Sequence, residues 1–96
     1  MATLRIEAQP SAGLKSYTLV VDGHPVPMRS DHKGDVAVHG QCNDGSRHLL
    51  NYTMFGATGD TLAVTILCAG HAVCQTADQI VAGSEPYGAG WEDFTL

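Results

Sequence analysis

Thr61-Leu62-Ala63-Val64-Thr65-Ile66-Leu67-Cys68 decides the fold, because Leu62, Val64, Ile66 and Cys68 alternate with Thr61, Ala63 and Thr65. Successive side chains of an extended backbone leave on opposite faces, so this stretch is a strand with one apolar face. The same period of two appears near the N-terminus, where Leu4, Ile6 and Ala8 alternate with Thr3, Arg5 and Glu7. No segment places apolar residues at helical spacing between a start and a stop signal. The chain is therefore a β protein that buries one face of each sheet.

Turn residues divide the rest. Pro10, Ser11 and Gly13 separate the first strand from a second over Ser16 to Val21, which carries Tyr17, Leu19 and Val21 on one face. Asp22-Gly23 predicts a two-residue hairpin, since a type I′ turn needs positive φ at both central positions. Pro25 and Pro27 lack a ladder donor and mark His24 to Met28 as an edge or irregular strand. Arg29 to Gly34 reads as a polar loop, and Asp35 to Gln41 as a strand with Val36, Val38 and Gly40 on one face. Asn43-Asp44-Gly45 predicts a three-residue hairpin loop that would set Val38 opposite Leu50 and Val36 opposite Tyr52 in a strand over His48 to Phe55. Gly56 to Asp60 turns the chain into Thr61 to Cys68. Gly70-His71-Ala72 turns it again into a short strand around Val73 to Thr76. Ala77 to Ala82 suits a strand or a single helical turn, Ser84 to Gly90 a loop, and Trp91 to Leu96 a final paired strand. About seven or eight short strands at this spacing predict an antiparallel immunoglobulin-like β-sandwich, with a small β-barrel as the alternative. The likeness is one of architecture, because Trp91 follows all the cysteines instead of lying between two of them.

A chain of 96 residues makes a single domain, residues 1–96, and a domain of this size buries roughly 60 to 70% of the surface of its unfolded chain. With 44% hydrophobic and 16% charged residues the chain is not disordered. All five basic residues, Arg5, Lys15, Arg29, Lys33 and Arg47, fall in the first half, and the net charge is −5. An acidic protein repels phosphate backbones, so no nucleic-acid partner is expected; the acidic second half reads as a solubility feature. No apolar run approaches the length of roughly 18 residues that spans a bilayer, and Met1 to Glu7 lacks the features of a secretory leader, so a soluble protein without a membrane partner is expected. The cysteines, Cys42, Cys68 and Cys74, are odd in number and include no C-x-x-C pair. That usage suits a reducing compartment and points to the cytoplasm. Asn51-Tyr52-Thr53 matches a glycosylation acceptor but falls within a predicted strand, and is taken as chance.

Three sets of residues are candidates for function. Tyr87, Trp91, Glu92 and Asp93 combine aromatic anchors with carboxylates in a glycine-rich segment, the composition of a recognition surface. The competing account has Trp91 and Phe94 closing the core while Gly88 and Gly90 permit a turn. Extending the hairpin register across three turns places His48, Cys68 and Cys74 in one lateral row with Cys42 beside them, a donor set suited to zinc or to thiol redox chemistry. Against it, free cysteine is usually a small buried hydrophobe, and a Cys68–Cys74 cross-strand disulfide would use two of the ligands and leave Cys42 a free thiol. The remaining histidines, His24, His32, His39 and His71, lie at turns or on polar faces and suit solvent exposure. Ser46 or Ser84 with a histidine and a carboxylate, or Cys42 beside His48, could compose a nucleophile. No G-x-S-x-G elbow accompanies them, and five histidines offer such combinations by chance. The leading expectation is a non-enzymatic module, without a cofactor, that binds another protein or self-associates through a sheet edge or the C-terminal loop. A zinc or thiol-redox protein is the first alternative and a weak hydrolase or small-ligand binder the second.

Overall fold

The computed structural model describes residues 3–31, 34–41 and 45–96. These residues form strands β1 (Thr3–Pro10), β2 (Ser16–Val21), β3 (His24–Pro25), β4 (Arg29–Asp31), β5 (Gly34–Gln41), β6 (Arg47–Phe55), β7 (Thr61–Cys68), β8 (His71–Gln79) and β9 (Tyr87–Thr95). One sheet has the order β4-β5-β1-β7-β8 and the other β3-β2-β6-β9, with every pair antiparallel. Two open sheets packed face to face are a β-sandwich, and the closed-barrel alternative does not hold. Among the described residues no helix is long and apolar enough to cross a membrane.

The alternation read from the sequence sets the inner faces. Leu62, Val64, Ile66 and Cys68 of β7 are buried, as are Leu4, Ile6 and Ala8 of β1. In the five-stranded sheet, cross-strand pairing lines up Ala37, Ile6, Ile66 and Cys74 in one buried row. Opposite it, Leu19, Val21, Leu50, Tyr52, Met54 and Phe94 close the second layer. Two tyrosines tie the layers together at opposite flanks. Tyr17 of β2 donates its hydroxyl to Asp35 of β5, and Tyr52 of β6 donates to Asp78 of β8 at 2.7 Å.

Several expectations are corrected by the pairing. The Asp22-Gly23 hairpin forms as expected, with φ of 51° and 81°. The Asn43-Asp44-Gly45 hairpin does not: β5 pairs with β1 and β4, whereas β6 pairs with β2 and β9, so Val38–Leu50 and Val36–Tyr52 are not partners. Asn43 and Asp44 themselves lie outside the described residues. On β5 it is Ala37 that turns inward, beside Ile6, and Val36 is half-buried. Gly56 to Asp60 likewise carries the chain from one sheet to the other. Asp60 fastens that crossing by accepting from the Ala57 N–H at 2.8 Å and the Ser11 hydroxyl at 3.2 Å. Part of the polar segment Arg29 to Gly34 is an edge strand, β4, because the unpaired side of β5 accepts it in spite of its polarity.

The β7–β8 turn is Ala69-Gly70, with φ of 52° and 83°, one step earlier than predicted. A bulge between Ile66 and Leu67 then puts Ile66, not Cys68, opposite Cys74. Strand β8 runs on to Gln79, and Ile80 beyond it is fully buried and exchanges backbone hydrogen bonds with Gly59 and Asp60. The final strand begins at Tyr87, inside the segment read as a loop.

Candidate functional site

The two flanks of the sandwich end differently. On one side the outermost strands are β3, two residues long and containing Pro25, and β4, three residues long. Short strands and proline blunt an edge against further pairing. On the other side the outermost strands are β8 and β9, each nine residues long. Among the described residues β9 pairs with β6 alone, so its second edge presents unpaired backbone donors and acceptors.

Alternation along β9 sorts the predicted recognition residues. Phe94 is buried, which fixes Gly88, Gly90 and Glu92 on the same inner side. Tyr87, Ala89, Trp91 and Asp93 therefore share the outer face. Tyr87 and Trp91 are 63% and 65% exposed, so Trp91 does not close the core, whereas Phe94 does. Tyr87 meets its cross-strand partner Phe55 edge to face, with ring centroids 5.3 Å apart. A shallow hollow of about 330 Å³ between Thr18, Thr53, Phe55 and Tyr87 continues the aromatic surface across the sheet. Leu49, opposite Asp93, and the Arg47–Asp93 ion pair at 2.7 Å border it at the far end. The structure thus brings Tyr87, Trp91 and Asp93 onto one surface and sends Glu92 to the other side of the strand, where it faces the open flank.

Gly88 and Gly90 serve packing within the strand, not a turn. A Cβ at Gly90 would lie 2.6 Å from the Tyr52 ring carbon Cζ, and one at Gly88 would lie 2.6 Å from Met54 Cε. The missing side chains let Tyr52 and Met54, their cross-strand partners, lie beneath β9. Tyr52 thereby reaches Asp78 on β8 and holds the two long edges side by side. Burial first, then the Asp78 hydrogen bond and charge, push the Tyr52 hydroxyl above its ordinary value, so it stays a donor.

The Cys/His row is not assembled. It required β6, β7 and β8 in one sheet, and β6 lies in the other. Cys68 is held in a disulfide and Cys74 is a free buried thiol, which also removes the Cys68–Cys74 disulfide. Both ring nitrogens of His48 are engaged, Nδ1 2.5 Å from Asp22 Oδ2 and Nε2 3.0 Å from Ser46 Oγ. Cys42 lies outside the described residues, and among those described no three His, Cys, Asp or Glu side chains gather as metal ligands.

Burial, then the charges of Glu92 and Asp93, push the Cys74 thiol up to about 11. A thiol so far above neutrality holds almost no thiolate, the reactive form. Native protein at pH 7.5 is expected to leave Cys74 unalkylated by iodoacetamide, with full modification in denaturant; peptide mass mapping checks this, and rapid native labelling would contradict the burial.

Ser46 lies one residue before β6 and two from His48, so their nearness in sequence carried a usable signal. Asp22 was not linkable to it from sequence, since the two segments are joined only by the β2–β6 pairing. No match to a protein-family model, to a curated protein or to a solved structure was found for this chain.

Proposed function

We propose that the protein is a binding module that takes up an extended, basic polypeptide segment along the free edge of β9, anchored on Tyr87 and Trp91. The observation that carries this reading is the long unpaired edge adjoining two large, solvent-exposed aromatic side chains. An extended segment can continue the sheet by main-chain hydrogen bonds while its alternate side chains meet the aromatic face. Charge selects its composition. Asp78, Glu85, Glu92 and Asp93 belong to β8, β9 and the segment between them, and Arg47 is already paired with Asp93. Lysine or arginine in the incoming segment would complement this acidic border. Self-association through the same edge is the second reading, and the carboxylates weigh against it because two copies bring like charges together.

Two further features bear on this reading. The two-layer antiparallel arrangement supports an immunoglobulin-like architecture, with the difference that β1 lies at the centre of its sheet. The disulfide at Cys68 favours an oxidising compartment over the cytoplasm suggested by the cysteine count, since such bonds persist where thiols are not kept reduced.

Trp91 is the only tryptophan, so intrinsic fluorescence reports directly on the site. A displayed library of random ten-residue peptides, selected on the intact protein at low salt, is expected to yield basic β-formers. Their binding should shift Trp91 emission to the blue and weaken as salt rises. Trp91→Ala is expected to lower the affinity about thirtyfold, the effect of losing about 2 kcal/mol at an aromatic hot spot. Selected peptides that leave the Trp91 emission unchanged and bind Trp91→Ala equally well would refute the assignment. Sedimentation of the protein alone, showing a dimer with buried Trp91, would favour the second reading.

A further inference from the structure

At the end of the four-stranded sheet, the tip of the β2–β3 hairpin meets the start of β6 and joins Asp22, His48 and Ser46 in one line of hydrogen bonds. His48 Nδ1 lies 2.5 Å from Asp22 Oδ2, and His48 Nε2 lies 3.0 Å from Ser46 Oγ. The carboxylate is fixed from two further directions. Asp22 Oδ1 accepts the Leu49 N–H at 2.8 Å, and the Asp22 N–H donates to the Leu49 carbonyl at 2.9 Å. Positive φ at Asp22 and Gly23 bends the backbone so that the side chain reaches across to β6. The imidazole is held on its other side by stacking against Phe94, with centroids 5.5 Å apart and planes inclined by 24°. Its side chain is 15% exposed, whereas Ser46 is open to solvent.

This geometry assigns the protons. Burial alone would raise the Asp22 carboxyl, but hydrogen bonds from His48 and Leu49 and the charges of His48 and His24 outweigh it and hold the group below its ordinary value. Asp22 is therefore an ionised acceptor at neutral pH, and Nδ1 must carry the hydrogen between them. In the neutral ring Nε2 then bears a lone pair, and the Ser46 hydroxyl donates to it. A serine hydrogen-bonded to an imidazole that a buttressed carboxylate orients is the arrangement of an activated nucleophile, recognised by geometry and not by sequence order.

We propose that Ser46 is a nucleophile toward small neutral carboxylic esters, with His48 as its general base and Asp22 as the positioning residue. Ser46 Oγ attacks the acyl carbon and its proton passes to His48 Nε2. The bond from the acyl carbon to the alkoxy oxygen breaks, and the departing alcohol takes the proton from His48. Water then attacks the acyl-serine, giving one proton to His48, and collapse releases the acid as Ser46 recovers that proton. Ester and water become acid and alcohol, with no other reactant. Neutral esters fit because Asp22 and the net charge of −5 disfavour anions, and small ones because Ser46 stands at the surface. The site adjoins β9 through the Phe94 ring but does not use its free edge, and it does not depend on the binding function proposed for that edge.

The intact protein treated with a fluorophosphonate probe is expected to acquire a single adduct, mapped by peptide mass spectrometry to Ser46. The labelling rate should rise with pH as the imidazole becomes neutral. His48→Gln should slow it about 10²- to 10⁴-fold, the range for loss of a general base, and Asp22→Asn should slow it with the hairpin retained. Ser46→Ala should abolish hydrolysis of 4-nitrophenyl acetate above the rate of buffer. Ser84, exposed and bonded to the Val81 carbonyl, is the internal comparison. A wild-type labelling rate at Ser46 no greater than at Ser84, or one independent of pH from 5 to 8, would overturn the proposal without recourse to any variant. Equal labelling of Ser46 in folded His48→Gln protein would overturn it as well.

Discussion

Ile66→Ala is expected to lower the stability of the protein by about 2–5 kcal/mol, the range for truncating a buried isoleucine whose surroundings relax only in part. Ile66 is fully buried on β7, flanked by Ile6 of β1 on one side and Cys74 of β8 on the other. Those neighbours are held by their own ladders and cannot collapse into the space. The loss should appear as a lower urea midpoint with an unchanged slope, since the exposed surface on unfolding is nearly the same. For a domain of this size each kcal/mol lowers the melting temperature by roughly 4–8 °C. Thr65→Ala, one residue away on the opposite face, is the control and should cost only about 0.5 kcal/mol. Equal effects at the two positions would mean that the inner face of β7 had been misassigned.

That pair of substitutions also measures what can be read from one sequence. Period-two alternation in Thr61–Cys68 and Ser16–Val21 gave those strands their bounds and inner faces, because burying one face is a local constraint recorded residue by residue. Asp22-Gly23 was legible for the same reason, since its backbone conformation restricts which residues serve. Sheet membership was not. Whether the chain after Phe55 pairs back on β6 or crosses to the other layer depends on competition among all strands, and Gly56 to Asp60 is compatible with both. The Cys/His row failed on that choice, and again within the β7–β8 hairpin, where the bulge between Ile66 and Leu67 sets Ile66 and not Cys68 opposite Cys74. The recognition surface was found through its composition, yet Trp91 could not be placed outside without knowing that Tyr52 fills the space inside Gly90. Asp22, His48 and Ser46 were each visible, but their meeting depends on the pairing of β2 with β6.

Gly90→Val is expected to be more damaging than any substitution on the outer face of β9, and to abolish peptide binding although Gly90 offers no side chain to a ligand. A Cβ at this position already falls within 2.6 Å of the Tyr52 ring, and valine adds two methyl groups. Overpacking of this kind costs about 1–3 kcal/mol. Displacing the Tyr52 ring also breaks its hydrogen bond to Asp78, and loss of a hydrogen bond to a charged partner costs a further 1.5–3 kcal/mol or so. Valine suits strands intrinsically, so Ala89→Val, on the exposed face of the same strand, should be neutral or mildly stabilising. The contrast isolates the clash from any effect of β-propensity. Adding Tyr52→Ala to Gly90→Val should restore part of the lost stability, because it removes the clashing ring; a double-mutant cycle with strong coupling is the expected readout. Binding should not return with it. Tyr52 lies beneath β9 and bonds to Asp78 of β8, so displacing its ring disturbs the flank along which an incoming strand must pair. If the double variant recovers peptide affinity together with stability, the edge is not organised by this clasp.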